Sequence, residues 1–140
     1  MMLPETVRLL LVDDRPDNLL VMSAVVRSAW PEAHIVTASS GKEGVRYARE
    51  QTFDGALTDV HMPEMDGIEM CRVLKKDPRT ATLPIILITS HRTTPEACAE
   101  GLLAGADDFI CRPIDNTELL ARLRVMIRLR RAENALQASN

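Results

Sequence analysis

Aromatic side chains are nearly missing from this chain. Trp30, Tyr47, Phe53 and Phe109 are the only ones in 140 residues, so the core must be aliphatic, and an apolar content of 46% can supply it. Cysteine is also scarce. Cys71, Cys98 and Cys111 are odd in number, widely spaced and set in apolar neighbourhoods. That predicts free thiols acting as small hydrophobes rather than redox sensing or metal binding. His34, His61 and His91 share no ligand spacing, so no zinc site is expected. No apolar run approaches the roughly 18 residues of a membrane span, and Met1-Met2-Leu3-Pro4-Glu5 lacks a basic stretch followed by an apolar one. A cytoplasmic protein is the expectation. A formal net charge of −3 gives no general pull toward nucleic acid or anionic membrane.

What the chain does hold is acid at the ends of apolar runs. Leu57-Thr58-Asp59 leads into a sharp turn, Val60-His61-Met62-Pro63-Glu64-Met65-Asp66-Gly67, and Leu9-Leu10-Leu11-Val12 leads into Asp13-Asp14. A single Asp in such a place is usually a turn former or a helix cap. The pair together with Asp59 reverses those odds, because open α/β sheets gather functional groups at the carboxyl ends of their strands. Three ionised carboxylates in one crevice repel, so the cluster either keeps a proton or holds a cation. Mg²⁺ suits it, as a hard ion that binds through one or two carboxylates and completes its shell with water and phosphate oxygen. Asp59 is the candidate reacting group, and phosphate chemistry is the expectation.

Strand and helix signals alternate five times. Apolar runs over residues 7–12, 34–38, 56–59, 84–89 and 108–111 read as strands, the continuous ones as buried parallel strands. Between them, residues 16–28 show helical spacing, Ser40-Gly41-Lys42-Glu43 opens a helix to about Glu50, and a third helix covers residues 66–76 before Asp77-Pro78 stops it. Thr94-Pro95-Glu96 starts a fourth helix, with Gly105 as its C-cap. Short connections of this kind imply right-handed crossovers and a parallel sheet covered on both faces.

Two further groups complete the set. Ile85-Ile86-Leu87-Ile88 ends in Thr89-Ser90, and Phe109-Ile110-Cys111 ends in Arg112-Pro113. From about Val7 to about Arg124 the sequence resembles the receiver domain of bacterial two-component response regulators. The resemblance implies a flavodoxin-like, doubly wound (βα)5 fold with a parallel five-stranded sheet in the order 2-1-3-4-5. It implies that Asp59 accepts a phosphoryl group, that Asp14 binds Mg²⁺ directly and Asp13 mostly through water, and that His61 offers its backbone carbonyl to the metal. Thr89, with Ser90 beside it, is then the switch hydroxyl, and Phe109 the aromatic residue that moves with it. The Arg112-Pro113 bond is expected to be cis.

Arg112 departs from the family, which nearly always has lysine there. Arginine is a longer planar fork that prefers bidentate partners, so the exchange is not conservative at a phosphate. It could neutralise the phosphoryl group, or pair with Asp14 or Asp59 and hold a resting form. The leading reading is a phosphoryl-accepting switch. Two others stand beside it: a pseudo-receiver that binds protein without phosphorylation, and a magnesium phosphatase with an aspartate nucleophile. The phosphatase is weakened because Asp13-Asp14-Arg15-Pro16 lacks a separated Asp-x-Asp pattern. His61 and His91, two residues beyond the acceptor and the hydroxyl, would flank the path of the hydrolytic water.

The last segment opens with Asp115-Asn116-Thr117-Glu118, a second capping pattern, and runs beyond the length a fifth helix needs. Residues 1–124 are expected to form the receiver domain, and residues 125–140 a helical extension resembling a linker to an output domain. Leu119, Leu120, Leu123, Met126 and Ile127 form one apolar stripe; Val125, Leu129, Ala132 and Leu136 form a second. Arg122, Arg124, Arg128, Arg130 and Arg131 interleave with them. They read as the solvated face of an amphipathic or coiled helix, so nucleic-acid binding by this chain alone is not expected. The partner implied by the resemblance is a histidine kinase or phosphotransfer protein. A homodimer and an output domain on a longer chain are left open.

Overall fold

In the computed structural model, residues 6–90 and 94–139 are described, the last three without side chains. Five strands and five helices alternate: β1 (Arg8–Val12), α1 (Pro16–Ala29), β2 (His34–Ala38), α2 (Gly41–Glu50), β3 (Gly55–Asp59), α3 (Gly67–Lys76), β4 (Ile85–Thr89), α4 (Pro95–Leu103), β5 (Asp108–Cys111) and α5 (Asn116–Ser139). All strand pairs are parallel, and the order is β2-β1-β3-β4-β5, as expected. Strand starts agree with the apolar runs to within one residue. Pro84 stays outside β4, where it has no N–H to donate to the ladder, and its carbonyl accepts from Ala56.

Every residue of β3 and β4 is buried, which is why both read as unbroken apolar runs. Alternate side chains feed two cores. Leu10, Val12, Ala56, Ile85 and Leu87 pack with Val45 and Ala48 of α2 and Ile68, Met70 and Leu74 of α3. Leu9, Leu11, Leu57, Ile86 and Ile88 pack on the other face with Met22 and Val26 of α1 and Leu119, Leu123 and Met126 of α5. With so few aromatics, the core rests on its Val, Leu, Ile and Met side chains, each contributing about 1.5–3 kcal/mol by leaving water.

The helices begin where the sequence places caps. Ser40 Oγ accepts from the Glu43 N–H at 3.1 Å, Thr94 Oγ1 from Ala97 at 3.2 Å, and Asp115 Oδ1 from Glu118 at 3.0 Å. Each cap is worth about 1 kcal/mol. Gly105 follows α4 with φ 109°, a left-handed conformation that glycine adopts without steric cost. α5 runs unbroken through residues 124 and 125, where the extension was expected to begin.

Candidate functional site

The parallel register assembles the acids. Val12 of β1 lies opposite Thr58 of β3, so the residues that follow, Asp13 and Asp59, come out side by side at the carboxyl edge. One carboxylate oxygen from each of Asp13, Asp14 and Asp59 lies within 4.8 Å of the other two. The next two strands bring the remaining groups: β4 ends at Thr89, and the Arg112 N–H donates to the Thr89 carbonyl at 2.8 Å.

The three acids are held differently. Asp13 has no solvent exposure, and its carboxylate accepts from the Arg15 N–H at 2.9 Å, Asn18 Nδ2 at 3.0 Å and Arg112 Nη2 at 3.1 Å. Asp14 is exposed, and among the described residues its carboxylate has no bonding partner. Asp59 is 9% exposed, with Oδ1 3.5 Å from Arg112 Nη2. Burial holds the Asp59 carboxyl above its ordinary pKa, and the Asp13 charge pushes the same way; Arg112, by charge and hydrogen bond, and His61 oppose them.

Arg112 therefore joins Asp13 and Asp59. The expected pairing with Asp59 occurs; the one with Asp14 does not, because the guanidinium reaches the buried carboxylate beneath it while Asp14 faces solvent. The Arg112-Pro113 peptide is cis. Among the described residues, three carboxylates against one guanidinium leave two negative charges without a counter-charge. Oxygen-only donors with that deficit fit a hard divalent cation such as Mg²⁺.

Thr89 is almost fully buried, and its Oγ1 lies 3.5 Å from His61 Nε2. His61 itself is exposed, and Ser90 is half-buried just after β4. Phe109 is half-buried against α4, where a Cβ on Gly101 would come within 2.9 Å of its ring. His91 lies outside the described residues.

Two contributors escape sequence reasoning. A Cβ at Gly67 would sit 2.3 Å from the Asp59 carbonyl oxygen, so only glycine lets α3 start this close to the acidic turn. The available signal was glycine directly after Asp66, the helix cap, whose Oδ1 accepts from Glu69 at 2.8 Å. Asn18, in the first turn of α1, carries no pattern that marks it as a partner of Asp13.

The profile of the response regulator receiver domain matches residues 9–124. Response regulator PleD of Caulobacter vibrioides is 37% identical over 88% of this chain, and transcriptional regulatory protein AfsQ1 of Streptomyces coelicolor 36% identical over 94%. The chain spans only 26% and 56% of those two proteins. Among solved structures, the receiver domain of sensor histidine kinase PA1611 from Pseudomonas aeruginosa has a magnesium ion coordinated in its active-site cleft. It superposes with a TM-score of 0.78 at 28% identity, covering 87% of this chain and 98% of that one.

Proposed function

This chain belongs to the response regulator receiver family, and from that premise we propose that it is a phosphorylation-dependent switch in which Asp59 takes a phosphoryl group from a partner histidine kinase or phosphotransfer protein. Receiver domains are signalling switches rather than enzymes. The single observation that carries the proposal is the meeting of Asp13, Asp14 and Asp59 beside one guanidinium at the carboxyl edge of the sheet.

In the transfer, an Asp59 carboxylate oxygen forms a bond to phosphorus while the phosphorus–nitrogen bond of a phosphohistidine breaks, and the departing imidazole regains its neutral form by taking a proton. Asp14, open to solvent, and Asp59 would hold Mg²⁺ directly, with the His61 backbone carbonyl; Asp13, already bonded by three donors, would act through water. The bound ion would offset charge on the phosphoryl oxygens and hold them in line. Arg112 would leave its resting partners to meet the phosphoryl group. Thr89 and Ser90 would then bond to that group, with Phe109 following and altering the surface of α4 and α5.

We place the switch in the cytoplasm; no described helix is long and apolar enough to cross a membrane. Residues 1–124 would form the receiver domain and residues 125–140 a helical lead toward an output domain. A second reading, a protein-binding module that never accepts phosphate, is favoured by Arg112 alone, since its two ion pairs stabilise the resting site. Incubation with acetyl phosphate and Mg²⁺ followed by intact-mass measurement separates them. A gain of one phosphoryl group, absent in Asp59→Asn, supports the switch, and no gain supports the second reading.

A further inference from the structure

Arginines gather at the end of the sheet away from Asp59. A cavity of about 130 Å³ opens there between the end of α2, the residues that lead into β3 and β4, and the second half of α5. Arg49, Arg79 and Arg130 line it, one from each of three separate segments, and Glu50 is the acid in the lining. Phe53 and Leu83, both buried, form its apolar wall. A fourth arginine braces the rim: Arg8 Nε donates to the Thr52 carbonyl at 2.9 Å and Nη2 to Gln51 Oε1 at 3.1 Å.

The donors of this cluster are incompletely used. Arg49 and Arg79 converge on Asp77, each at 2.9 Å, so two cations share one carboxylate. Among the described residues, Arg49 spends only its Nε there, and Arg130 spends only Nη1, on the Thr82 carbonyl at 3.1 Å. The Arg130 Nε is buried and has no hydrogen-bond partner among them. An unpaired buried donor is costly, so an acceptor entering the cavity would relieve a cost already present. Counting Asp77 with Glu50, the three lining guanidiniums keep one positive charge in excess.

We propose that this cavity is a second anion site, one that binds a soluble small molecule through a phosphate or diphosphate group. Guanidiniums arriving from three segments suit a group with oxygens on several sides, whereas one or two forks already saturate a planar carboxylate. The space far exceeds the roughly 10–15 Å³ that a single water needs, and its apolar wall strengthens the field of the arginines. A small ligand senses charge only within about 8–10 Å, where the arginines dominate. An anionic membrane would meet the whole chain, whose formal net charge is −3. The site stands apart from phosphoryl acceptance at Asp59 and needs neither Mg²⁺ nor a covalent step.

Calorimetric titration of the full chain with inorganic pyrophosphate, in Mg²⁺-free buffer, tests this with the variants Arg79→Gln, Arg130→Gln and Glu50→Gln. Arg79 and Glu50 are exposed, so the domain keeps its core in those two. The expected result is saturable one-to-one binding, weakened about tenfold by loss of either arginine and tightened several-fold by Glu50→Gln, which removes the opposing charge. Amide NMR during the titration should show its shifts at Gln51, Thr52 and Thr80. Absence of saturable binding overturns the proposal, and so does binding indifferent to Arg79→Gln and Glu50→Gln. Shifts centred on Asp59 and Thr89 would assign the anion to the acidic site instead. A chain that sediments with phosphatidylglycerol vesicles yet ignores pyrophosphate would make the cluster a membrane contact and equally overturn it.

Discussion

Arg112 Nη2 lies 3.1 Å from Oδ2 of Asp13, a carboxylate with no solvent exposure. The same nitrogen reaches Asp59 Oδ1 at 3.5 Å, so one cation spans the buried acid and the proposed acceptor. A lysine would place one point charge there and could not reproduce the planar fork. An incoming phosphoryl group must then compete with Asp13 for the guanidinium. Arg112→Lys is expected to leave the fold intact and to bind beryllofluoride more tightly, as titration followed by NMR at Phe109 would show. Arg112→Ala removes a partner from a buried carboxylate and should lower stability by about 1–3 kcal/mol while impairing activation. Lysine and arginine forms that respond identically would mean the departure from lysine has no effect on switching.

Asp59 supplies a prediction in pH. Its carboxyl is raised first by burial and then by the Asp13 charge. Between the ordinary value of 3.8 and the raised folded value, the folded chain holds a proton that the unfolded chain has released. Stability contributed by this group therefore declines as pH rises through that window and stays lower above it. Asp59→Asn removes the cost. Its melting temperature should exceed that of the wild type at neutral pH, with the gap closing in acid, as parallel thermal melts would show.

Asp13 and Asp14 should separate stability from metal binding. Asp13→Ala strands the Arg15 N–H, the Asn18 amide and Arg112, at a cost of about 1–3 kcal/mol. Asp14→Ala touches an exposed side chain without partners among the described residues and should shift stability by no more than about 0.5 kcal/mol. Calorimetric Mg²⁺ titration should rank them the other way, with the greater loss of affinity in Asp14→Ala. Equal Mg²⁺ affinity in Asp14→Ala and wild type would remove Asp14 from the site.

Much of the fold was legible because its determinants are local. The runs ending at Val12, Asp59 and Thr89 read as buried strands, and Ser40, Thr94 and Asp115 read as caps, since each signal lies within a few residues of its effect. The acids of the site were legible for the same reason, a pair directly after β1 and one at the end of β3. What was not legible depends on long-range orientation. Arg112 and Asp13 are 99 positions apart, and which acid a long flexible side chain selects is settled only by which carboxylate faces inward. Gly67 is required by a backbone approach across the acidic turn. The outer stripe of α5 shows in the sequence as periodicity alone; its exposure follows only once Leu119, Leu123 and Met126 have claimed the opposite face for the core.

His61 and Thr89 give the last prediction. The imidazole Nε2 lies 3.5 Å from the hydroxyl of a nearly buried threonine, while the ring itself is exposed, so His61 sits on the solvent side of the proposed switch group. Water that approaches an aspartyl phosphate from that side would pass the imidazole ring. Removing the ring opens the approach and releases Thr89 Oγ1 from one neighbour. His61→Ala should therefore speed the loss of the phosphoryl group several-fold, with labelling stoichiometry unchanged because Asp59 is untouched. Decay of the labelled protein, followed by intact mass, measures it. The double variant His61→Ala with His91→Ala tests whether the second histidine adds to the effect. Decay unchanged in both would leave the two histidines no part in the lifetime of the signal.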